Sequence, residues 1–332
     1  MFFVENYAVA VAFCVVTMLC WGSWGNTQKL AGKTWRYELF YWDYVLGIVV
    51  FGLIAGLTLG SMGEQGRGFI PDLQQAAAAN LGSAFLGGII FNAANILLVA
   101  AISIAGMSVA FPVGIGLALV LGVIVNYIGE PKGNPVLLFT GVGIIMVAIL
   151  MNALAYKLKE RGGQKVPMKG IVLSVACGIL MAFFYRFVAA AMDMNFADPA
   201  AGKMTPYSAF FVFTLGIFAS TFLFNTIAMK KPVSGVPVRG ADYFKGGVAI
   251  HFVGILGGLI WALGNVLNLV AAGTAGPAIS YGLGQGATLV AALWGILVWK
   301  EFAGAPQQSK LLNAGMLALF LVGLGVVIKA GM

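Results

Sequence analysis

Long apolar runs alternate with short polar joins along the whole chain. Runs of 18 or more mainly apolar residues recur, and each is long enough as a helix to cross a hydrocarbon core of roughly 30 Å. The tight joins at 104–107 and 273–277 carry little besides glycine and proline, and we interpret both as hairpins. The pattern predicts ten spans, at roughly 6–28, 39–60, 77–102, 107–128, 135–156, 168–190, 206–229, 246–271, 276–299 and 309–330.

The composition is that of a polytopic membrane protein. Of the 332 residues, 61% are hydrophobic and 9% are charged, whereas a soluble domain carries about 25% charged residues. The first span is not expected to be a signal peptide, because its flank MFFVEN holds an acid and no base. Cys14, Cys20 and Cys177 fall inside spans and are expected to be core residues. We find no metal-ligand cluster and no nucleophile–base pattern, so we expect no metal, no cofactor and no enzyme activity.

The basic residues are unevenly distributed between the two sides of the predicted bundle. The formal net charge is +8, and fourteen of the 19 lysine and arginine residues lie in or beside the loops after spans 1, 5, 7 and 9. Only four lie on the opposite side. The positive-inside rule places the basic loops in the cytoplasm and both termini outside. Because the basic residues set topology in this way, we expect no nucleic-acid partner.

The chain repeats itself with an offset of about 170 residues. This offset pairs Asn95 with Asn265 and Gly114 with Gly284, and one residue further EPKGNP (130–135) pairs with EFAGAP (301–306). Because five is an odd number of spans, the second half enters the membrane from the side opposite to the first. The prediction is therefore an all-α membrane protein of two inverted five-helix repeats. The first repeat is 1–156, a short cytoplasmic linker is 157–167, and the second repeat is 168–332. Inverted repeats are typical of secondary transporters with a site near the midplane.

Several stretches together resemble a known family. They are WGSWGNTQKL (21–30), YWDYVLG (41–47), TPYSAFFVF (205–213), KKPVSGVP (230–237), WALGN (261–265) and WKEF (299–302). The chain resembles the drug/metabolite transporter superfamily, and within it the ureide permeases and the related glucose/ribose porters. The resemblance implies a ten-helix bundle that takes up small polar metabolites. These are heterocycles such as allantoin and uracil in one branch and monosaccharides in the other. Plant ureide permeases have a longer central loop than the linker found here.

Four asparagines are the leading candidates for substrate contact. Asn92 and Asn95 are three apart and share one helix face, and Asn265 and Asn268 repeat that spacing in the second half. Amides offer donors and acceptors without charge, which suits neutral polar substrates. The alternative is that the amides hold neighbouring helices together through interhelical hydrogen bonds.

Aromatic and glycine positions extend this candidate site. Trp21, Trp24 and Trp261 are candidates for stacking on a flat heterocycle or a sugar face, with ordinary packing as the alternative. The stretch YGLGQG (281–286) has the glycine spacing of a phosphate loop. It lies inside a span with no preceding strand, so we exclude nucleotide binding. Its glycines are expected to allow close helix approach or a local break. Tyr281 and Gln285 in this stretch are added to the candidate substrate site.

Arg186 is a charged residue predicted near the middle of span 6. A charge inside a span is costly and is a default functional candidate. Its guanidinium suits a carbonyl-rich or hydroxyl-rich ligand or a carboxylate. The alternative is that Arg186 pairs with helix carbonyls or an acid and braces the bundle, with Asp193 as one acid nearby in sequence.

Asp43 is the candidate for carrying a coupling proton. It lies within the resembling stretch YWDYVLG, near the start of span 2. The alternative is an ion pair with Lys33 or Arg36 at the cytoplasmic edge. His251, the only histidine, lies near the start of span 8 and is expected to be a structural hydrogen-bonding residue rather than a proton relay.

These observations favour an inner-membrane importer of a small neutral polar metabolite, proton-coupled or facilitative. Ureides or nucleobases lead, and a monosaccharide permease is the alternative. An exporter of lipophilic drugs is disfavoured by the amides, and a scaffold or receptor by the inverted repeat. The short loops favour a bacterial inner membrane. The partners we expect are the substrate, protons and the lipid bilayer, with a homodimer left open.

Overall fold

The computed structural model describes residues 1–32, 35–105, 107–159, 167–233 and 235–332. The regular structure in these ranges is helical, apart from one isolated bridge between Met192 and Met204. The α-helices are α1 (Tyr7–Ser23), α2 (Gly25–Leu30), α3 (Tyr37–Leu57), α4 (Phe69–Gln75), α5 (Ala78–Ala105), α6 (Met107–Ala110), α7 (Gly116–Gly129), α8 (Pro135–Lys159), α9 (Met168–Ala191), α10 (Pro206–Lys230), α11 (Val248–Ala275), α12 (Pro277–Gly284), α13 (Ala287–Leu293) and α14 (Gln307–Ala330). One π-helix (Phe111–Ile115) joins α6 to α7, a second (Trp294–Val298) follows α13, and a 3-10 helix (Gly240–Lys245) precedes α11.

Nine helical stretches in the described part of the chain are long and apolar enough to cross a membrane. They coincide with nine of the ten predicted spans, with α1 and α2 forming one stretch and Pro277–Val298 another. The predicted span 107–128 differs, because the first π-helix interrupts it and its apolar helix, Val113–Gly129, is shorter. Pro112 lacks a backbone N–H, which removes one helical hydrogen bond at this interruption.

Two short helices in the connections are not predicted by the hydropathy pattern. α4 lies between α3 and α5, and the 3-10 helix lies between α10 and α11. The two short helices lie about 170 residues apart in the chain, which is the offset of the predicted sequence repeat. Neither is long enough to show a helical period of apolar residues.

Two helix crossings depend on glycine pairs. Gly47 of α3 packs against Gly258 of α11, and Gly216 of α10 packs against Gly88 of α5. A Cβ atom added to Gly258 or to Gly88 would overlap a backbone carbonyl oxygen of the partner helix. The helices therefore approach at a distance that only glycine permits. The offset of 170 residues also relates Gly88 to Gly258 in the sequence.

The remaining long helices pack in pairs. α5 packs along α9, and α11 packs along α1. α7 packs against α9, and α12 and α13 pack against α1. α8 and α14 pack against each other. The buried core is formed by residues of all the long helices, including α7, α8 and α14.

The loops gather at two faces of the bundle. The basic face carries the described residues of the connections 31–36, 231–247 and 299–306, and there Lys29 pairs with Glu301 at 3.2 Å. The opposite face carries the connections 58–77 and 192–205 together with the N-terminus, whose Met1 ammonium donates to the Gln65 carbonyl at 2.6 Å. The predicted linker 157–167 lies largely outside the described residues.

An ion pair with a buried carboxylate links two connections of the opposite face. Asp72 is fully buried, and one oxygen of its carboxylate lies 2.9 Å from Nη1 of Arg67. The other oxygen accepts hydrogen bonds from the Thr205 backbone N–H and from the Ser208 hydroxyl. Arg67 also donates to the Pro199 carbonyl at 2.6 Å. These bonds hold the connection 58–77 to the connection 192–205 and to the start of α10.

Candidate substrate site

The two predicted amide pairs are both buried in the core, but they have different bonding. Asn92 accepts a hydrogen bond of 2.6 Å from the Tyr41 hydroxyl and donates to Ser220 at 2.8 Å and Thr221 at 3.1 Å. Asn95 donates to the Tyr41 hydroxyl at 3.2 Å. Asn92 therefore links α5 to α3 and α10 with its hydrogen-bonding capacity largely used.

The second pair keeps free hydrogen-bonding groups. Asn268 donates to the Ser280 carbonyl at 2.8 Å, and its Oδ1 atom has no partner among the described residues. Oδ1 of Asn265 likewise has none, and the Asn265 side chain makes no hydrogen bond within the described ranges. Buried polar groups are normally hydrogen-bonded, so each such atom needs an explanation.

Aromatic rings surround this second pair. The rings of Trp21 and Trp261 are stacked, with centroids 6.3 Å apart and an interplanar angle of 13°. Tyr44 meets Trp261 edge-on at 6.5 Å, and Phe91 lies 4.6 Å from Trp261 on another side. Trp24 stacks on Tyr44 at 4.5 Å. Of the predicted tryptophans, Trp21 therefore contacts Trp261 directly, whereas Trp24 is connected to Trp261 through Tyr44.

We define the central cluster as Trp21, Tyr44, Trp261, Asn265 and Asn268. Within the described part of the chain, four of its buried polar atoms have no hydrogen-bond partner. They are the Trp21 Nε1 donor, the Tyr44 hydroxyl, and the Oδ1 acceptors of Asn265 and Asn268. The central cluster therefore offers uncharged donors and acceptors beside aromatic faces, which is the chemistry of a site for a neutral polar molecule.

The glycines of YGLGQG bring α12 onto α1. A Cβ on Gly284 would lie 2.8 Å from the Trp21 ring and 3.1 Å from Nδ2 of Asn268. The helix also breaks between Gly284 and Ala287, where Gln285 and Gly286 separate α12 from α13. Close approach and a local break, the two predicted uses of these glycines, both occur at this position.

Tyr281 and Gln285 occupy different surroundings in this stretch. The fully buried Tyr281 hydroxyl lies 3.1 Å from the Met181 carbonyl and 3.2 Å from the Ala118 carbonyl, and so links α12 to α9 and α7. Gln285 is buried at the helix break, with 8% of its surface exposed.

Arg186 lies outside the central cluster. It is five residues from Ala191, the end of α9, rather than near the middle of the helix as predicted. Its guanidinium fills the space into which a Cβ on Gly129, the last residue of α7, would project. A helix C-terminus attracts cations. Asp193 does not pair with it in the described residues, since its oxygens accept from the backbone of Asn195 and Ala200.

Asp43 has partners other than those suggested by the sequence. Its Oδ2 lies 2.8 Å from Nδ1 of His251, and its Oδ1 accepts a short hydrogen bond from the Tyr243 hydroxyl. Arg36 instead forms an ion pair of 2.6 Å with Glu38, so the suggested pairing of Asp43 with Arg36 is wrong. The other suggested partner, Lys33, lies outside the described residues. Asp43 is 1% exposed and joins α3 to α11 and to the 3-10 helix.

Tyr243 is a residue of this group that the sequence does not single out. Burial, followed by the hydrogen bond to the Asp43 carboxylate, raises the pKa of Tyr243 above its ordinary value. Its hydroxyl therefore keeps its proton and donates to Asp43 at neutral pH. Tyr41 and Tyr44 were also missed, although Tyr37, Tyr41 and Tyr44 follow the i, i+4, i+7 spacing of one helix face.

A cavity of about 310 Å³ lies at the basic face. The start of α3, the end of α5 and the end of α10 form its walls. Tyr37 lines the cavity, and its ring centroid lies 5.3 Å from that of Tyr41, the hydrogen-bond partner of Asn92 and Asn95. This cavity is called the inner cavity below, and Tyr37 connects it to the hydrogen-bonded group of Tyr41, Asn92 and Asn95.

The sequence model of the ureide permease family matches residues 40–166 and 158–330. The chain belongs to the ureide permease family. As a member of a permease family with membrane-length helices, it is an integral membrane transport protein rather than an enzyme.

Individual relatives agree with this assignment. Ureide permease 1 of Arabidopsis thaliana is 22% identical, and the match covers 99% of each chain. Ureide permease 4 of the same plant is 20% identical over the same shares. The L-rhamnose-proton symporter of Yersinia pestis bv. Antiqua is 30% identical over 53% of this chain and 54% of its own. A crystal structure with 16% identity covers 96% of both chains with a TM-score of 0.60, which shows a shared fold.

Proposed function

We propose that this ureide permease family member transports a small neutral ureide or nucleobase, such as allantoin or uracil, through the central cluster. The observation that supports this most directly is the set of four buried polar atoms without partners beside the Trp21–Trp261 stack. All four belong to uncharged groups, and together they include a donor, two acceptors and a hydroxyl that serves as either. Such a set complements the N–H and C=O groups of a ureide or nucleobase ring.

The transport mechanism we propose is alternating access of two inverted five-helix repeats, 1–156 and 168–332. Equivalent glycine crossings, α3 with α11 and α10 with α5, support this architecture. In secondary transporters of this kind, the site lies at the repeat interface and one repeat moves against the other.

Proton coupling through Asp43 is part of the proposal. The carboxylate is buried between α3 and α11 and shares hydrogen bonds with His251 and Tyr243. Protonation of Asp43 would weaken its attraction to His251 and its acceptance of the Tyr243 hydrogen bond. Because Tyr243 belongs to the 3-10 helix, this change couples the charge of Asp43 to the position of the connection 231–247.

A monosaccharide is the second candidate substrate. The partial match to an L-rhamnose-proton symporter favours it, since that relative is named for a sugar and for protons. Sugars also combine hydroxyl groups with an apolar face that stacks on tryptophan. The hydrogen-bonding groups of the central cluster make an exporter of lipophilic drugs the less favoured function.

The location we propose is a bacterial inner membrane, with the basic face in the cytoplasm and both termini periplasmic. The fourteen basic residues in and beside the loops of one side support this orientation. The direction we propose is import, and a homodimer is compatible with the apolar outer surface of the bundle.

Uptake by the purified protein in proteoliposomes tests the proposed function. Labelled allantoin, uracil, ribose and glucose should be offered with and without a proton gradient. Saturable uptake of allantoin or uracil that is enhanced by the gradient is the expected result. Uptake of the sugars alone would select the second candidate, and no uptake of any of the four would reject both.

A further inference from the structure

The inner cavity is separate from the central cluster and has recognition chemistry of its own. Its volume of about 310 Å³ lies at the lower end of the range of small-molecule sites. Trp35 and Tyr37 contribute aromatic side chains, and α5 contributes the apolar residues Ile96, Val99 and Ala100. None of the residues of the central cluster lines it.

Three lining side chains from different segments carry buried polar atoms that lack a hydrogen-bond partner within the described ranges. These atoms are Nε1 of Trp35, the hydroxyl of Tyr37 and Oδ1 of Asn225. Nδ2 of Asn225 donates to the Glu38 carbonyl at 2.8 Å, which leaves Oδ1 as the free end of that amide. The three side chains supply one donor, one acceptor and one group that serves as either.

The charges at the inner cavity offset each other. Nη2 of Arg36 lies 2.6 Å from Oε1 of Glu38, and Nε lies 3.1 Å from Oε2, so the two side chains form a bidentate ion pair. A ligand in the inner cavity therefore meets no net charge from these two residues. A neutral occupant fits this balance better than an anion or a cation.

Aromatic contacts connect the inner cavity to Tyr41 and to the Asp43–His251 pair. Tyr37 lies 5.3 Å from Tyr41, which accepts a hydrogen bond from Asn95. Trp35 meets the ring of His251 edge-on at 5.6 Å, and His251 is the partner of Asp43. Trp35 thus both lines the inner cavity and contacts His251, the partner of Asp43.

We propose that the inner cavity is a second binding subsite, at the basic face, for a small neutral molecule that presents an N–H donor and a C=O acceptor on one edge. Trp35 donates to the carbonyl, Asn225 accepts from the N–H, and the Tyr37 hydroxyl bonds to either group. The identification of this ligand with the transported molecule rests on the proposed function. The subsite itself rests on the inner cavity and its three polar groups.

The test measures half-saturating concentrations of labelled uracil and allantoin from each face separately, in right-side-out and inside-out vesicles carrying the full chain. The variants are Tyr37→Phe, which removes only a hydroxyl, and Asn225→Ala. The matched control is Asn126→Ala, because Asn126 is also buried, donates to a backbone carbonyl and has an unpartnered Oδ1, but does not line the inner cavity. Asn265→Ala serves as the variant of the central cluster.

Tyr37→Phe and Asn225→Ala should raise the half-saturating concentration from the basic face by about five- to tenfold, the effect of one lost hydrogen bond. Both variants should change the half-saturating concentration from the opposite face by less than twofold. Asn126→Ala should leave the half-saturating concentrations from both faces unchanged. If the wild type transports the probes while both variants match it at the basic face, the subsite is wrong and the proposed function stands. If the wild type transports neither probe, the proposed function fails and this ligand assignment fails with it.

Discussion

Nδ1 of His251 lies 2.8 Å from Oδ2 of Asp43, although the two residues are 208 positions apart in the chain. The contact joins α3 of the first half to α11 of the second half, close to the basic face. The same two helices also cross at Gly47 and Gly258, so the carboxylate is buried at the α3–α11 contact, which would move in the proposed alternating access.

Asp43→Asn should abolish accumulation driven by a proton gradient while leaving exchange across the membrane measurable. An amide keeps the size of the carboxylate but does not carry a proton on and off. The measurement compares gradient-driven uptake with counterflow in proteoliposomes. Asp242→Asn is the control, since Asp242 lies on the surface and pairs with Lys245 only three residues away. Accumulation retained by Asp43→Asn would remove Asp43 from the coupling step.

Tyr243→Phe should reduce gradient-driven uptake by about ten- to hundredfold, the effect of losing one hydrogen bond to a charged group. Burial raises the pKa of Tyr243 above its ordinary value, so its hydroxyl stays protonated below about pH 10. Between pH 5 and pH 8 Tyr243 therefore acts only as a hydrogen-bond donor, and any pH dependence of the reduction reports the charge of its acceptor Asp43. Gradient-driven uptake equal to that of the wild type in a folded Tyr243→Phe variant would remove this hydrogen bond from the coupling step.

Gly258→Ala and Gly88→Ala should each destabilise the protein by a similar amount, about 1–3 kcal/mol, because a methyl group at either crossing overlaps a backbone carbonyl oxygen. Thermal unfolding in detergent provides the measurement. Gly143→Ala is the control, because a Cβ at Gly143 meets nothing within 4 Å. Loss of stability at one crossing but not at the other would argue against equivalent repeats.

Arg67→Met should destabilise the opposite face by about 2–3 kcal/mol, because it leaves the buried Asp72 carboxylate without its ion-pair partner. Lys245→Met removes an exposed pair with Asp242 and should change stability by less than about 1 kcal/mol. Hydrogen exchange of the connections 58–77 and 192–205 measures the local effect. Unchanged hydrogen-exchange protection of these two connections in Arg67→Met would show that the ion pair does not hold them together.

Several of these features can be predicted from sequence and others cannot, for physical reasons. Helices of membrane length follow from apolar runs, because the bilayer thickness sets one scale for all of them. Span 107–128 is the exception, since the run of apolar residues does not show the interruption around Pro112. The repeat also predicts that Asn95 and Asn265 occupy related helices.

The hydrogen-bond partners of a residue on other helices are harder to predict than the position of each helix in the sequence. Asn92 and Asn265 look alike in sequence, but Ser220 and Thr221 of α10 occupy the hydrogen-bonding groups of Asn92 alone. Asp43 receives its hydrogen bond from Tyr243, which lies in a connection without periodicity. Such contacts depend on which helices cross, and one sequence does not contain that information.

The most direct test of the account is counterflow of labelled uracil and allantoin by Asn265→Ala beside Asn313→Ala. Both asparagines are buried, but Asn313 accepts from Asn152 between α8 and α14, outside the central cluster. Asn265 makes no hydrogen bond in the described part of the chain, so its loss should leave thermal stability near that of the wild type. Asn265→Ala should lower transport at subsaturating substrate by about tenfold, whereas Asn313→Ala should not. Equal transport by a folded Asn265→Ala variant and the wild type would contradict the assignment of the central cluster as the substrate site.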